Sequence, residues 1–444
     1  MQLNLKTITI LSLCFFPLAS LSQHNNRAAR NLHFNFANPG ARALGIGGAF
    51  TGMADDATAV LANPAGLIQI RKASVTIETR YIHEKYDVPF YGGNIVQQNL
   101  FDFDFEFENK SFSNSKFQIP FFSYVLPLEN FSLGVFYQVQ ADVQRDYTTD
   151  TVYVFPLDQA VDQIHFFPSH DRVDITMEDL GLSIARKLGE HVSVGLSVFY
   201  SQMDYMANST LLLENSIEES IPVDQLAEGK DNGVGGVLGL LVNPNNWLSA
   251  GVSYKAQPSF DYTLQLDQTV ELWQDNFLKE HFFKVPDALS FGLAYRVTDF
   301  TLIMLDVQRI FYSQLTDDLV DFNGLEDVTQ AIEDGTELHF GIERLFSDLI
   351  AGRPLALRLG YWQEPYHAPL NNIEDNQILQ GSYTSGNDMN VRDAFFLHQF
   401  KKDIDHYNVG IGLGWNRQLH FDFACDLADE TVCFSFSTVY RLKK

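Results

Sequence analysis

Asn38 to Ile70 reads NPGARALGIGGAFTGMADDATAVLANPAGLIQI, and this stretch decides what the rest of the chain must be. It is rich in Gly and Ala, carries Asn-Pro steps at 38–39 and 63–64, and stands just before the first residues with strand periodicity. Small residues at Gly45, Gly47, Gly48, Ala49 and Gly52 let backbones approach closely. Asp55 and Asp56 read as an N-cap for a short helix over 57–62. Pro64 ends that helix, because it donates no hydrogen bond and restricts Asn63. The stretch is a compact plug, and everything after it has to form the enclosure.

That enclosure has period 2. Val75, Ile77, Thr79 and Tyr81 alternate with Ser74, Thr76, Glu78 and Arg80. Phe131, Leu133, Val135, Tyr137, Val139 and Val143 alternate with Ser132, Gly134, Gln138, Gln140, Asp142 and Gln144. The same holds for Val192 to Tyr200, for Leu338 to Ile342 and for Val432 to Leu442. Such alternation marks strands with one apolar and one polar face. We place strands near 73–86, 116–126, 131–144, 174–187, 191–206, 233–243, 246–263, 287–297, 299–313, 336–347, 355–366, 404–417, 419–426 and 431–442. Tight turns such as 127–130, 188–190, 243–245 and 298–299 alternate with long polar excursions near 87–115, 145–173, 207–232, 264–286, 314–335 and 367–403.

About fourteen strands, an even number, with short turns at one end and long loops at the other, is the plan of an all-β, transmembrane antiparallel barrel of the bacterial outer membrane. Both termini of the chain then fall on the periplasmic side. The polar face carries Glu78, Arg80, Asp142, Asp306, Glu343, Arg358, Asp422 and Arg441 among Gly and Ser, which suits a wet or plugged lumen. Tyr81, Tyr137, Tyr200, Tyr295, Tyr361, Trp415 and Tyr440 fall towards strand ends, where aromatic girdles sit.

Residues 1–22 have the form of a secretory signal peptide: Lys6, an apolar run over 8–18, and Ser20-Leu21-Ser22 before Gln23. Leu13 is too bulky for the position before a lipidated cysteine, so Cys14 is read as part of the apolar run. The division expected is a signal peptide at 1–22, a hatch with short helices at 23–72 and a barrel at 73–444. Cys425 and Cys433 flank the last hairpin, and strand parity points their sulfurs to different faces. A net charge of −26 argues against a nucleic-acid partner. The partners expected are a hydrophobic small molecule, the lipid bilayer and lipopolysaccharide.

Three pieces of the plug carry a family likeness: Gly40 to Phe50, Ala54-Asp55-Asp56-Ala57, and Asn63-Pro64-Ala65-Gly66-Leu67. Together they resemble the N-terminal hatch of the long-chain fatty acid transporter (FadL/TodX-like) family. Pro286 to Gly292 is similar to the start of one of that family's strands. The resemblance implies a fourteen-stranded outer-membrane barrel closed by a hatch, with Asn63, Pro64 and Ala65 as its Asn-Pro-Ala motif. It implies a channel for passive uptake of hydrophobic molecules. A second reading is a PorV/PorQ-like barrel, which acts as a shuttle or anchor for secreted proteins. In that group a Trp or His precedes the Asn-Pro-Ala step, where Leu61-Ala62 stands here.

Nothing in the sequence points to an enzyme. Gly45-Ile46-Gly47-Gly48 has no strand before it, and Phe50 fills the third position of a dinucleotide-binding glycine pattern. Ser183 and His191 lack a third group for nucleophilic catalysis. The 12 His show no metal-ligand spacing, so no cofactor and no metal site are expected. In the 145–173 excursion, Phe155, Phe166 and Phe167 are apolar residues in a water-facing loop and mark a mouth for a hydrophobic ligand. Arg80 and Arg358 are candidates to hold a carboxylate head, unless they pair with Glu78, Asp306 or Glu343. Asp317, Asp318, Asp321, Glu326 and Asp327 read as a solvated acidic face, with a divalent ion bridging to lipopolysaccharide as the alternative.

Overall fold

A computed structural model describes residues 36–97, 103–148, 150, 152–155, 164–166, 170–214, 220–270, 273–316, 330–331, 333–350, 352–367, 370–371 and 403–443. Among these, fourteen antiparallel strands close into one barrel. In chain order they are β1 Ser74–Gln97, β2 Phe103–Pro127, β3 Phe131–Thr148, β4 His170–Lys187, β5 Val192–Glu214 and β6 Ser220–Val242. Strand β7 runs as Leu248–Ala256 and resumes as Ser259–Val270. Strand β8 runs as Trp273–Lys284 and resumes as Ala288–Thr298. Then come β9 Thr301–Ile310, β10 Gly335–Ile350, β11 Arg353–Glu364, β12 Ile404–Gly414, β13 Leu419–Leu427 and β14 Thr431–Arg441. The barrel closes where β1 pairs with β14, from Ser74 opposite Arg441 to Glu84 opposite Thr431.

No described helix is long and apolar enough to cross a membrane; the strands supply the apolar surface. On β4 Leu180, Leu182 and Ile184 face outwards and are exposed, Leu182 by 66%. Leu196, Val198 and Tyr200 do the same on β5, and Phe291, Leu293 and Tyr295 on β8. Their polar neighbours Ser183, Ser197 and Asp306 point in and are buried. A water-soluble sandwich would bury the first set and wet the second. Among the girdle residues, Tyr81, Tyr200, Tyr295, Trp415 and Tyr440 are exposed, while Tyr137 and Tyr361 are half-buried.

In three of the expected excursions, 87–115, 207–232 and 264–286, nearly all the described residues are strand instead. β1 and β2 stay paired from Ser74 and Val125 up to Gln97 and Phe103, and β5 and β6 stay paired up to Glu214 and Ser220. β1 is 24 residues long and β5 is 23, whereas about 9–11 tilted residues span the hydrocarbon. The walls therefore stand well above the lipid. There both faces lose their lipid-imposed alternation, but backbone pairing continues. Within 145–173, Val152–Phe155 pairs with Ile164–Phe166 and, in parallel, with Asn94 to Val96 of β1. The acidic residues 317–329 lie outside the described residues.

Two further expectations change. Val143 faces inwards, opposite Ile175, because β3 slips register between Val139 and Ala141 with Gln140 as the extra residue. Asp142 keeps its carboxylate 3.7 Å from Lys116. The strand expected over 246–263 is broken at Gln257-Pro258, since proline cannot donate to the ladder. The sulfurs lie as parity requires: Cys425 stands opposite Phe434 and Cys433 opposite Asp426, and both are free.

Candidate binding site in the lumen

The lower lumen is filled by the hatch. Its helices α1 (Ala41–Gly45) and α2 (Ala59–Ala62) are short, and a 3-10 turn follows at Pro64–Gln69. Neither α1 nor α2 has a side-chain cap on its own N-cap residue. The wall supplies partners for backbone groups that short helices leave unpaired. Gly40 N donates to Glu78 Oε2 at 2.7 Å and Ala41 N to Ser437 Oγ at 2.8 Å. Thr51 N donates to Asp306 Oδ2 at 2.6 Å. Ser193 Oγ donates to the Ala65 carbonyl at 3.0 Å, and His339 Nδ1 lies 2.8 Å from the Gly47 carbonyl.

Each hatch residue singled out in the sequence has a place. Asn63 Oδ1 accepts from Ala65 N and so caps the 3-10 turn, with Pro64 at its first position. Asn63 Nδ2 donates to the Thr51 and Leu240 carbonyls, both at 3.0 Å, which ties the turn to β6. Gly47 and Gly48 both adopt positive φ, +65° and +76°. A side chain on Gly47 would collide with the backbone of Tyr361. Asp55 pairs with Arg42 at 2.6 Å. Asp56 is not the N-cap of α2; Thr58 is, and Asp56 Oδ1 accepts from Thr58 N and Oγ1 one turn earlier. Burial pushes the Asp56 carboxyl above its ordinary range, against the pull of Arg42 at 3.6 Å.

Arg80 and Arg358 are engaged low in the lumen. Arg80 Nε donates to Glu78, and Arg358 bridges Glu343 and Asp422 at 2.7 Å each. Arg42 of α1 also reaches Glu343, at 3.0 Å. The backbones of Phe155 and Phe166 lie in the small hairpin beside β1 and β5. Their side chains, and the whole of Phe167, lie outside the description. Ser183 Oγ hydrogen-bonds Ser197 Oγ, while His191 sits in a turn with Nδ1 2.8 Å from the Asn243 carbonyl. The pair is not brought together.

Above the hatch the inner wall divides into sectors. On β1 to β3, Arg145 donates to Glu84 at 2.7 Å and lies over the Tyr86 ring. Across β10 to β13, Trp362 stacks between His339 and His406, and His406 Nδ1 lies 3.0 Å from Asp426. The sector from β3 to β9 is apolar: Val143, Ile175, Met177, Met203, Tyr205, Phe260 and Ile310 form one buried inner layer with Tyr312 and Phe36. The hatch has a separate apolar layer with Phe121, Phe136, Phe199 and Val237.

The sequence reading missed this upper layer, although a signal exists on β4. Its outward face is apolar over Leu180, Leu182 and Ile184, then polar over Arg172, Asp174, Thr176 and Glu178. Its inward face does the reverse, with Asp179, Gly181 and Ser183 below and Val173, Ile175 and Met177 above. Greasy residues change sides halfway up the strand. The ladder is also interrupted beside this layer. β6 pairs with β7 over 236–242 and again over 223–228, but between them, at 229–235, no pairs join the two strands among the described residues. There β7 leans over β6, so that a side chain on Gly233 would strike Pro258 and one on Gly229 would strike Tyr262.

Known proteins share this fold. The profile of a family described as "Outer membrane protein transport protein (OMPP1/FadL/TodX)" matches residues 29–336. Against curated proteins the sequence finds no match. Among solved structures the chain is similar to a monoaromatic hydrocarbon channel, CymD, at 15% identity and a TM-score of 0.58, over 93% of this chain and 100% of that one. A Pseudomonas aeruginosa FadL homologue aligns at 11% identity and a TM-score of 0.61, over 90% and 98%. The Ralstonia pickettii toluene transporter TbuX aligns at 14% and 0.55, over 92% and 100%. Likeness at such identities speaks for the fold.

Proposed function

The chain belongs to the outer membrane protein transport family of the OMPP1/FadL/TodX type, and from that premise we propose that it takes up a hydrophobic molecule passively through the buried apolar layer above its hatch. It lies in the outer membrane of a Gram-negative cell. The comparisons lend no support to a secretion-system anchor.

The observation that carries this reading is the change of sides on β4 and β5. Outward polar residues on the upper strands are what a wall standing in water needs. Inward apolar residues at the same height are not required by lipid, since the lipid is outside and lower. They are what a greasy solute needs. The barrier to such a solute is the polar lipopolysaccharide layer, and burying each CH₂ in an apolar site contributes about 0.8 kcal/mol. Phe155, Phe166 and Phe167 would collect the solute at the mouth. The β6–β7 seam beside the layer offers a way out into the bilayer that leaves the hatch in place. In this reading Arg80 and Arg358 hold wall carboxylates rather than ligand.

Uptake of a carbon-14-labelled long-chain hydrocarbon or fatty acid, in cells lacking their own transporter, tests the proposal. Val143→Asp and Ile175→Asp each place a charge in the layer and are expected to lower uptake at least tenfold. Heat-modifiable migration on a gel checks that the barrel still folds. Normal uptake in folded variants would overturn it.

A further inference from the structure

Between the two apolar layers lies a belt of polar side chains that the uptake route does not explain. Gln138 and Gln140 on β3, Asp179 on β4 and Ser201 on β5 are all buried. Gln138 Oε1 and Gln140 Oε1 have no hydrogen-bond partner among the described residues, while the Asp179 carboxyl and the Ser201 hydroxyl lie beside each other with no further partner there. Gln138 stands opposite Asp179, and Asp179 opposite Ser201, so they share one height. Lys255 comes from β7, where it stands opposite Ala288 of the upper layer. Its ammonium is within electrostatic reach of Asp179 but makes no ion pair with it among the described residues.

Buried polar groups are normally satisfied, and a cluster of orphans asks for a partner. Two residues below the belt, Phe136 and Phe199 belong to the hatch layer; two residues above, Met177 and Met203 begin the upper layer. A ligand whose tail lies in the upper layer therefore ends at this belt.

Resting on the uptake reading, we infer that the belt seats the head of an uncharged amphiphile, a hydrocarbon bearing a hydroxyl or similar group that both donates and accepts. The charge balance selects that head. Asp179 and Lys255 balance each other, so the belt offers no net attraction to a carboxylate or an ammonium head, and either would also face a like charge. A plain hydrocarbon would leave both amide oxygens unpaired. The primary amides and the serine hydroxyl serve a donor or an acceptor equally well. A site built to hydrogen-bond one group rejects the analogue that lacks it far more strongly than an apolar pocket can.

Equilibrium binding to the mature protein in nanodiscs, with empty nanodiscs subtracted, tests this. The probes are labelled dodecan-1-ol, its methyl ether and dodecanoate at pH 8. The alcohol should bind at least tenfold tighter than either. Gln138→Leu should reduce the alcohol's advantage over the ether to less than threefold. Equal affinity for alcohol and ether, as expected of a belt that merely holds water, would overturn the inference and leave uptake standing. Tighter binding of dodecanoate would overturn the uncharged head. If no probe binds above background, the uptake reading falls and takes this inference with it.

Discussion

Asn63 shows what a single side chain does here. One amide caps the 3-10 turn through Ala65 N, holds the Thr51 carbonyl inside the hatch and holds the Leu240 carbonyl on the wall. Replacement by leucine keeps the volume and removes all three. Each buried group left unpaired costs about 1–3 kcal/mol. Asn63→Leu is expected to raise hydrogen–deuterium exchange across 50–66 while the strands stay protected. The local half of this role was legible, because a cap followed by proline is written in adjacent residues. The other half was not: Leu240 lies 177 residues away, and no periodicity names it. The arginines divide the same way. Arg80 and Arg358 were each read as either a ligand contact or a wall ion pair, and only the fold brings Arg358 into one network with Arg42, Glu343 and Asp422.

At the scale of elements, the hatch fits because backbone meets backbone. Gly52 lies against Gly292 of β8, where an added Cβ on Gly292 would fall 2.4 Å from the Gly52 nitrogen. Gly292→Val should push this part of the hatch from the wall. Faster leakage of small hydrophilic solutes through reconstituted barrels would show it, with heat-modifiable migration unchanged; an unaltered leak rate would count against the contact. The glycine-rich start was readable as a plug, yet its facing glycines on the strands read only as ordinary inward positions. Strand existence was legible from period 2, but strand length was not. Above the lipid the alternation that marks a strand weakens, although the ladder continues, so hairpins read as loops. The slip at Gln140 also escaped, since one extra residue leaves every local pattern intact and reverses only what lies beyond it.

Over the whole molecule, the seam and the polar belt sit side by side at the upper edge of the lipid-facing band, beside the outward residues Leu180, Tyr200 and Val234, with the upper apolar layer directly above the belt. If the seam is the exit, fastening it should trap the solute. Asp261 N donates to Asp231 Oδ2 across the seam at 2.7 Å, so a cysteine pair from Asp231→Cys and Asp261→Cys is placed to close it. Oxidation should slow uptake about tenfold and reduction should restore it; equal rates in both states would move the exit elsewhere. The run of glycines at 229, 233, 235 and 236, followed by Pro258, was the available sign of this break and was not read as one. The amino-acid sequence by itself determined that the chain is a hatch-plugged membrane barrel, because lipid and water impose a two-residue alternation and small residues permit close packing. Only the tertiary structure decided where a greasy solute would lie. That depends on which face of each strand turns inwards at each height, and inwardness belongs to the closed barrel and to no stretch of its sequence.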